Sequence, residues 1–171
     1  VQTIQDADGK QIASEEVRTL LLKPGEKKEY PCVMNINNPK LWSLETPYLH
    51  KLVTTLRSHD AAVDRYETTF GIRSVRFDPN EGFFLNGKHV DMKGVCLHHD
   101  QGSLGAAVHT RSIERQLEIM KGMGCNAIRT SHNPPAPELL DLCDRMGFLV
   151  MDEAFDEWKR NKTMYGYGRF F

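Results

Sequence analysis

The sequence lacks an excess of charge of either sign, and it lacks any long apolar run. Its 171 residues include 22 Lys and Arg and 23 Asp and Glu, which gives a net charge of −1. The main electrostatic argument for a nucleic-acid partner or an anionic membrane surface is therefore missing. No apolar segment approaches the roughly 20 residues that a helix needs to cross a bilayer. The first residues also lack the basic and apolar regions of a signal peptide. We expect a globular protein that binds neither nucleic acid nor membrane.

Cysteine is scarce and widely spaced. The four cysteines are Cys32, Cys96, Cys125 and Cys143, and no two of them form a CxxC pair. A zinc site built from cysteines is therefore not expected. Each cysteine lies in an apolar or strand-like stretch, which favours buried free thiols. An even number permits disulfides without requiring them, so the redox compartment stays open.

Residues 1–75 have the pattern of short strands separated by turn signals. Asp8-Gly9 lies between two alternating stretches. Further strands are predicted at residues 17–22, 31–36, 48–56 and 63–70. Short strands at this spacing predict an all-β sandwich. Because a complete immunoglobulin-type sandwich has roughly 100 residues, we expect its first strands to lie upstream of Val1.

From residue 76 onward the pattern changes to alternating strands and helices. Asn86-Gly87 predicts a tight hairpin turn. Thr110 is a candidate N-cap for a helix that reaches Gly124, and a second helix over residues 137–146 is expected to end at Gly147. Strands are predicted at residues 90–97, 125–130 and 148–151. Strands and helices in this order, with short connections, predict a parallel sheet.

Polar side chains follow each of these three strands. They are His98-His99-Asp100, Arg129-Thr130-Ser131-His132 and Asp152-Glu153. Parallel α/β folds bind their ligands at the carboxyl ends of the strands. The sequence therefore predicts that these residues form one wall of a polar binding site.

Six sequence motifs follow one another along the chain in a characteristic order. They are WSLETPYL (42–49), FGIR (70–73), LNGK (85–88), KGVCLHHD (93–100), NAIRTSHNP (126–134) and the run from LCD to DEA (142–154). The first two resemble segments of the immunoglobulin-like domain of glycoside hydrolase family 2. The others resemble the entry hairpin and the first three barrel strands of that family, whose members are multi-domain retaining β-glycosidases. Residues 131–158 most resemble bacterial β-galactosidases.

The resemblance implies an immunoglobulin-like sandwich over residues 1–75, lacking its first strands, and the first three β/α units of a (β/α)8 barrel over residues 76–171. A complete barrel needs about 250 residues, so the barrel is expected to be incomplete and the chain a fragment. An incomplete barrel exposes apolar edges. This exposure predicts self-association into a homo-oligomer or a disordered C-terminal part.

The implied function is hydrolysis of terminal non-reducing β-D-galactosides, with β-glucuronidase and β-mannosidase as alternatives within the family. The family's acid/base glutamate follows the fourth barrel strand and its nucleophile lies farther on. No catalytic residue is therefore expected in this chain, which should be inactive alone. The pair Asn80-Glu81 precedes the first barrel strand and is not expected to be catalytic. The compartment stays open between the cytoplasm and the periplasm of a bacterium.

Four residues are predicted to bind substrate: His98, Asp100, Arg129 and His132. The two histidines match family positions that hydrogen-bond sugar hydroxyls, and an imidazole can both donate and accept such bonds. Arg129 matches the arginine that flanks the nucleophile, where its charge keeps a carboxylate ionised; a structural ion pair is the alternative. Asp100 has two expected roles, to bind a hydroxyl or to fix its loop.

No metal or other cofactor is expected. Some relatives hold Mg²⁺ with a glutamate and a histidine two residues apart after the third strand. The matching positions here are Glu157 and Lys159, and a protonated lysine cannot ligate Mg²⁺.

Two other interpretations stay open. His98, His132 and Asp152 at strand ends could ligate a metal, as in amidohydrolase-type barrels. Those barrels typically use His-x-His, however, whereas His98 and His99 are adjacent and face apart. The chain also fits a non-catalytic module that binds carbohydrate or a partner, with a degenerate α/β appendage.

Overall fold

The chain folds into two compact units, seen here in a computed structural model that describes residues 1–18, 21–59, 61–157 and 160–166. The first unit comprises residues 1–42 and 48–73, and the second comprises residues 43–47 and 74–171. Within the described ranges, no helix combines the length and the apolar character that a membrane span requires.

The first unit contains a four-stranded antiparallel sheet with the strand order β2–β1–β3–β4. The strands are β1 (Gln2–Gln5), β2 (Gln11–Glu15), β3 (His50–Ser58) and β4 (Ala61–Phe70). As predicted, Asp8-Gly9 lies in the turn between β1 and β2, where Gly9 adopts φ +79° and its N–H donates to Asp6 O. The unit is all-β, and its described strands form one of the two sheets that a sandwich needs.

Two of the six sequence motifs meet in the first unit, since Trp42 packs against the segment that ends in Arg73. Trp42 is 1% exposed, and its N–H donates to Ile72 O at 2.9 Å. A Cβ atom on Gly71 would lie 2.8 Å from Trp42 Cβ, so a glycine is needed for this close approach. The Arg73 guanidinium covers the indole ring at 4.7 Å from its centroid.

Two strands that the sequence predicts in the first unit are wrong. The described residues of segments 17–22 and 31–36 belong to no strand. Leu21 is 74% exposed and Val33 is 81% exposed. A strand completes its hydrogen bonds only against a neighbour, and neither segment has such a neighbour in the described part of the chain. Local alternation alone therefore does not form a strand here.

The second unit begins with a three-stranded antiparallel sheet. Its strands are β5 (Val75–Asp78), β6 (Gly82–Leu85) and β7 (Lys88–His89). Asn86 and Gly87 have φ values of 51° and 77°, the two positive values of a type I′ turn. The predicted hairpin is thus confirmed. Asn80 and Glu81 lie in the turn between β5 and β6, where both backbone N–H groups donate to Asp78 Oδ1.

The second unit continues with a parallel sheet in the order β10–β9–β8. Its strands are β8 (Gly94–Leu97), β9 (Ala127–Thr130) and β10 (Leu149–Met151). Helix α1 (Thr110–Gly122) connects β8 to β9, and α2 (Pro137–Met146) connects β9 to β10. A short 3₁₀ helix over Gly102–Leu104 lies in the loop after β8. The predicted order of strands and helices is confirmed, and within the described residues the third β/α unit is present as its strand only.

The helix ends differ in how well the sequence predicts them. α2 begins and ends as predicted, with Pro137 at its start and Gly147 at φ +72°, whose N–H caps Cys143 O. The N-cap prediction for α1 is wrong, because His109 occupies that position and Thr110 is the first helical residue. His109 makes no capping hydrogen bond through its side chain, so nothing in its chemistry marks it as a cap.

The helices and the parallel sheet enclose an apolar cluster whose members are at most 6% exposed. Its members are Ile113, Leu117, Ile128, Leu139, Leu142, Cys143 and Phe148. Residues 43–47 also belong to this unit. Lys121 Nζ donates to the carbonyl oxygens of Leu44 at 3.2 Å, Met146 at 2.5 Å and Gly147 at 3.2 Å. This lysine therefore ties residues 43–47 to the end of α2.

Candidate substrate-binding site

The register of the parallel sheet determines which side chains meet at its centre. Arg129 on β9 lies opposite Cys96 on β8 and opposite Met151 on β10. Its neighbour Ile128 is 2% exposed and belongs to the apolar cluster under the helices. Because side chains alternate along a strand, Arg129 and Cys96 project from the face of the sheet that the helices do not cover.

A carboxylate holds Arg129 and His132 together. Glu153, just after β10, accepts a hydrogen bond from Arg129 Nε on Oε1 at 2.5 Å. Its other oxygen, Oε2, lies 2.9 Å from His132 Nδ1. The Glu153 backbone is also held, since its N–H donates to Thr130 Oγ1 at 3.0 Å. Thus Glu153 after β10 joins Arg129 and His132, at the end of β9, in one network although it lies more than 20 residues farther along the chain.

The charge state of this network follows from its hydrogen bonds. The bond from His132, and then that from Arg129, hold the pKa of Glu153 below its ordinary value. A carboxylate has no hydrogen to donate, so His132 Nδ1 is the donor and Nε2 is the ring nitrogen left for another partner. The pKa of Arg129 is raised by its hydrogen bonds, first with Cys96 and then with Glu153. The guanidinium therefore remains charged.

Cys96 is a member of the site that the sequence does not reveal. Arg129 NH1 lies 3.3 Å from Cys96 Sγ and 3.2 Å from Ser131 Oγ. The hydrogen bond from Arg129 lowers the pKa of the Cys96 thiol. Cys96 is exposed, so the prediction of a buried thiol is wrong for this residue. That prediction is right for Cys143, where burial raises the pKa to about 12.

The remaining cysteines are free as predicted, but they are only half-buried. They are Cys32 in the first unit and Cys125 in the second. The error has a physical reason, since the burial of a strand residue depends on which face of the sheet it occupies. A short apolar strand whose register is unknown does not reveal that face.

The four residues predicted to bind substrate are placed differently. The rings of His98 and His132 meet edge-on with centroids 5.8 Å apart, and His132 lies beside Arg129, with Nδ1 3.3 Å from NH2. Asp100 instead uses Oδ1 to accept a hydrogen bond from Gly102 N at 2.8 Å. This contact fixes the loop, which is one of the two roles expected for Asp100. Substrate binding by any of the four stays a prediction.

Glu153 is the residue whose importance the sequence shows least. It is visible as a carboxylate at a strand end, but its neighbour Asp152 is an equal candidate. Only the pairing of Met151 with Arg129 places Glu153, two residues later, beside the guanidinium. His99 is held apart from this network in the loop, where its Nε2 lies 2.9 Å from Ala106 O.

Two positions match those that hold Mg²⁺ in some relatives, and the structure describes one of them. Glu157 is 7% exposed, and its Oε1 accepts a hydrogen bond from Lys162 N at 3.0 Å. Lys159 lies outside the described residues. Among those that are described, no three His, Cys, Asp or Glu side chains are grouped so that they could hold a metal ion. The expectation that this chain binds no Mg²⁺ stays a prediction, and no step below depends on a metal.

Comparison with known protein families identifies the two parts of the chain. The family model described as glycosyl hydrolases family 2, TIM barrel domain, matches residues 78–166. A second model, described as glycosyl hydrolases family 2, matches residues 1–73. The chain belongs to glycoside hydrolase family 2. The resemblance of the six sequence motifs is thereby confirmed.

Relatives within family 2 carry more than one activity in their names. The chain is 52% identical over 170 residues to β-galactosidase BoGH2A of Bacteroides ovatus, covering 99% of this chain and 20% of the relative. It is 40% identical over 163 residues to a putative β-glucuronidase of Formosa agariphila, covering 95% of this chain and 15% of the relative. The chain thus spans about a fifth or less of the length of these curated relatives.

A solved structure supports the fold at high similarity. A glycosyl hydrolase family 2 member from Bacteroides cellulosilyticus superposes with a TM-score of 0.92 at 41% identity, covering 99% of this chain and 22% of that chain. A β-glucuronidase from Parabacteroides merdae superposes with a TM-score of 0.76 at 31% identity, covering 87% of this chain and 18% of that chain.

Proposed function

We propose that this chain is part of a retaining β-glycosidase that hydrolyses terminal non-reducing β-D-galactosides. The observation that carries the proposal is the 52% identity, over nearly the whole chain, to a β-galactosidase. Retaining hydrolysis needs two carboxyl groups about 5–5.5 Å apart across the scissile bond. In this proposal both come from parts of an (β/α)8 barrel that this chain begins but does not complete.

In this function the chain binds and orients the sugar. His98 and His132 are near-neighbours at two strand ends, and their imidazoles suit hydroxyl groups, which donate and accept hydrogen bonds. Arg129 supplies a fixed positive charge beside them. That charge would stabilise the ionised form of a nearby nucleophilic carboxylate. Asp100 completes the proposed set, either through its second carboxylate oxygen or by fixing the loop that follows His98.

β-Glucuronidase is the second candidate, because a relative named as a putative β-glucuronidase is 40% identical over 95% of the chain. A β-glucuronide differs from a β-galactoside in carrying a carboxylate on the sugar, which calls for an additional cation in the binding site. The β-galactosidase proposal is preferred because the relative that carries that name is more similar to this chain, at 52% against 40% identity.

Hydrolysis of aryl glycosides tests the proposal directly. Aryl β-galactoside, β-glucuronide and β-mannoside are offered to this chain alone and to a longer protein in which the chain is completed to a full barrel. We expect only the longer protein to cleave, and to cleave the β-galactoside with the highest kcat/KM. The reason is that the two carboxyl groups of a retaining mechanism must act together.

Each outcome of this assay has a definite meaning. Preference of the longer protein for the glucuronide would replace the β-galactosidase proposal with the second candidate. Cleavage by the 171-residue chain alone would show that it contains its own pair of catalytic carboxylates. A longer protein that binds sugars without cleaving any of them would instead support a non-catalytic module.

A further inference from the structure

The carboxylate of Glu153 is unusual in this site because each of its oxygens has a different partner. Oε1 accepts a hydrogen bond from Arg129 Nε, and Oε2 accepts one from His132 Nδ1. The Glu153 side chain is 19% exposed, whereas those of Arg129 and His132 are 38% and 40% exposed. Glu153 is therefore the most buried of the three, and its partners are the ones that face outward.

This arrangement also selects one form of the His132 ring. With Nδ1–H bound to the carboxylate, the neutral imidazole presents Nε2 as an acceptor. A hydrogen-bonded carboxylate is the usual means by which proteins fix the tautomer and the orientation of a functional histidine. Loss of the carboxylate would free the ring to rotate and to exchange its donor and acceptor nitrogens.

The same carboxylate determines where the Arg129 guanidinium lies. Its Nε donates to Glu153, and its NH1 donates to Cys96 and Ser131. An arginine side chain has several rotatable bonds, and ordering it costs conformational entropy. The ion pair to a rigidly held carboxylate offsets that cost before any ligand arrives. The Glu153 backbone is held in place because its N–H donates a hydrogen bond to the Thr130 hydroxyl at 3.0 Å.

We infer that Glu153 is a positioning residue of the glycosidase site, which fixes Arg129 and His132 relative to each other and makes His132 Nε2 an acceptor for a substrate hydroxyl. The inference rests on the proposed function, because it assumes that these two residues contact the sugar. In this role Glu153 acts without contacting the substrate or the reacting atoms. Its contribution passes entirely through its two partners.

Kinetics of variants in the longer protein, with its preferred aryl glycoside as the probe, test the inference. Glu153→Ala should lower kcat/KM by about 10- to 100-fold, the loss that a misplacement of about 1 Å produces. Glu153→Gln should recover part of that loss, because its amide oxygen still accepts a hydrogen bond from one partner.

The matched control is Glu118→Ala, which removes an arginine–carboxylate pair to Arg111 at 2.9 and 3.1 Å on the outer side of α1. The control should leave kcat/KM within about 2-fold of the wild type.

A double-mutant cycle separates positioning from mere stabilisation. If Glu153 acts through His132, the combined loss in Glu153→Ala/His132→Ala should fall short of the product of the two single losses by at least about 5-fold. A combined loss equal to the product would overturn the inference. So would a wild-type level of kcat/KM in Glu153→Ala. If Glu153→Ala does not fold, Glu153→Gln takes its place in the cycle under the same criterion.

Failure of the inference and failure of the proposed function are distinguishable. A longer protein that hydrolyses no glycoside contradicts the proposed function. An active wild type whose Glu153 variants show no coupling to His132 contradicts only the positioning role. Thermal unfolding midpoints, measured for every variant, identify any loss that follows from unfolding rather than from a displaced side chain.

Discussion

The two units of the chain protect their apolar side chains to very different extents. In the second unit, Leu117 is 0% exposed and Leu142 is 1% exposed, enclosed between two helices and a sheet. In the first unit, every residue of β4 except Phe70 is exposed. Val63 and Tyr66 on that strand are 62% and 70% exposed. One unit therefore has a layered core, while the described part of the other is mainly a single sheet.

This difference shows what each kind of secondary structure needs from its neighbours. A helix completes its hydrogen bonds within itself and needs only one apolar surface to pack on. A strand needs a partner along its edge and a second layer over its face. In the second unit, the two helices and the parallel sheet cover each other's apolar faces, and all of them lie between Gly94 and Met151. The described residues of the first unit supply partners along the strand edges but little cover over the sheet face.

The largest expected effect is the loss of a core side chain from the second unit. Leu117→Ala should lower the free energy of unfolding of that unit by about 2–5 kcal/mol, because a cavity remains where a fully buried side chain was removed. Its counterpart in the first unit is Val63→Ala, which should cost under about 0.5 kcal/mol because the side chain is already exposed. Amide hydrogen exchange, measured peptide by peptide, reports each unit separately. Equal losses in the two variants would contradict the contrast between the units.

Two glycines offer a finer comparison at similar backbone angles. Gly147 and Gly9 have φ values of 72° and 79°, so an alanine at either position costs about 1–2 kcal/mol of backbone strain. A Cβ atom at Gly147 would in addition collide with the carbonyl oxygen of Leu44. A Cβ atom at Gly9 would have no atom within 4 Å apart from those of Gly9 and its chain neighbours. Gly147→Ala should therefore destabilise its unit by at least about 1 kcal/mol more than Gly9→Ala. Similar losses of unfolding free energy, measured in urea, would show that the collision is relieved by local movement.

The sequence predicts the second unit better than the first, for reasons visible in single residues. α2 has Pro137 at its start and Gly147 after its end, and both signals depend only on local backbone chemistry. The Asn86-Gly87 turn is likewise a local preference. By contrast, segments 17–22 and 31–36 have the sequence pattern of strands. Whether they form strands depends on a neighbouring strand that the local sequence does not show. The pattern predicts the all-β class of the first unit, and the family resemblance adds its immunoglobulin-like type.

The candidate site shows the same limit. Polar residues at three strand ends are readable from the sequence, and so is the expectation that they lie on one edge of a sheet. The choice of partners depends on register, which pairs Arg129 with Cys96 on one side and with Met151 on the other. A shift of one residue would direct Arg129 into the apolar cluster. For this reason the contacts of Glu153 and Cys96 with Arg129 become visible only in the three-dimensional structure.

The smallest expected effect concerns acid and compares one carboxylate in each unit. On β4 of the first unit, the hydrogen bond from Lys51 at 2.6 Å lowers the pKa of Glu67, just as His132 and Arg129 lower the pKa of Glu153 in the second unit. A carboxyl group whose folded pKa lies below its unfolded value near 4.5 stabilises the fold above that value, and this contribution is lost as the pH falls through the folded pKa.

Glu67→Gln and Glu153→Gln should therefore each be less stable than the wild type at pH near 7, and the difference should shrink as the pH is lowered below about 4. The difference at neutral pH should be larger for Glu153, because its side chain is 19% exposed against 34% for Glu67 and exposed ion pairs are weakened by solvent. Urea midpoints measured across this pH range for each variant provide the comparison. A larger neutral-pH loss in Glu67→Gln would show that an ion pair on a solvent-facing strand stabilises the chain more than the network beside Arg129, and would weaken the case that Glu153 is rigidly held.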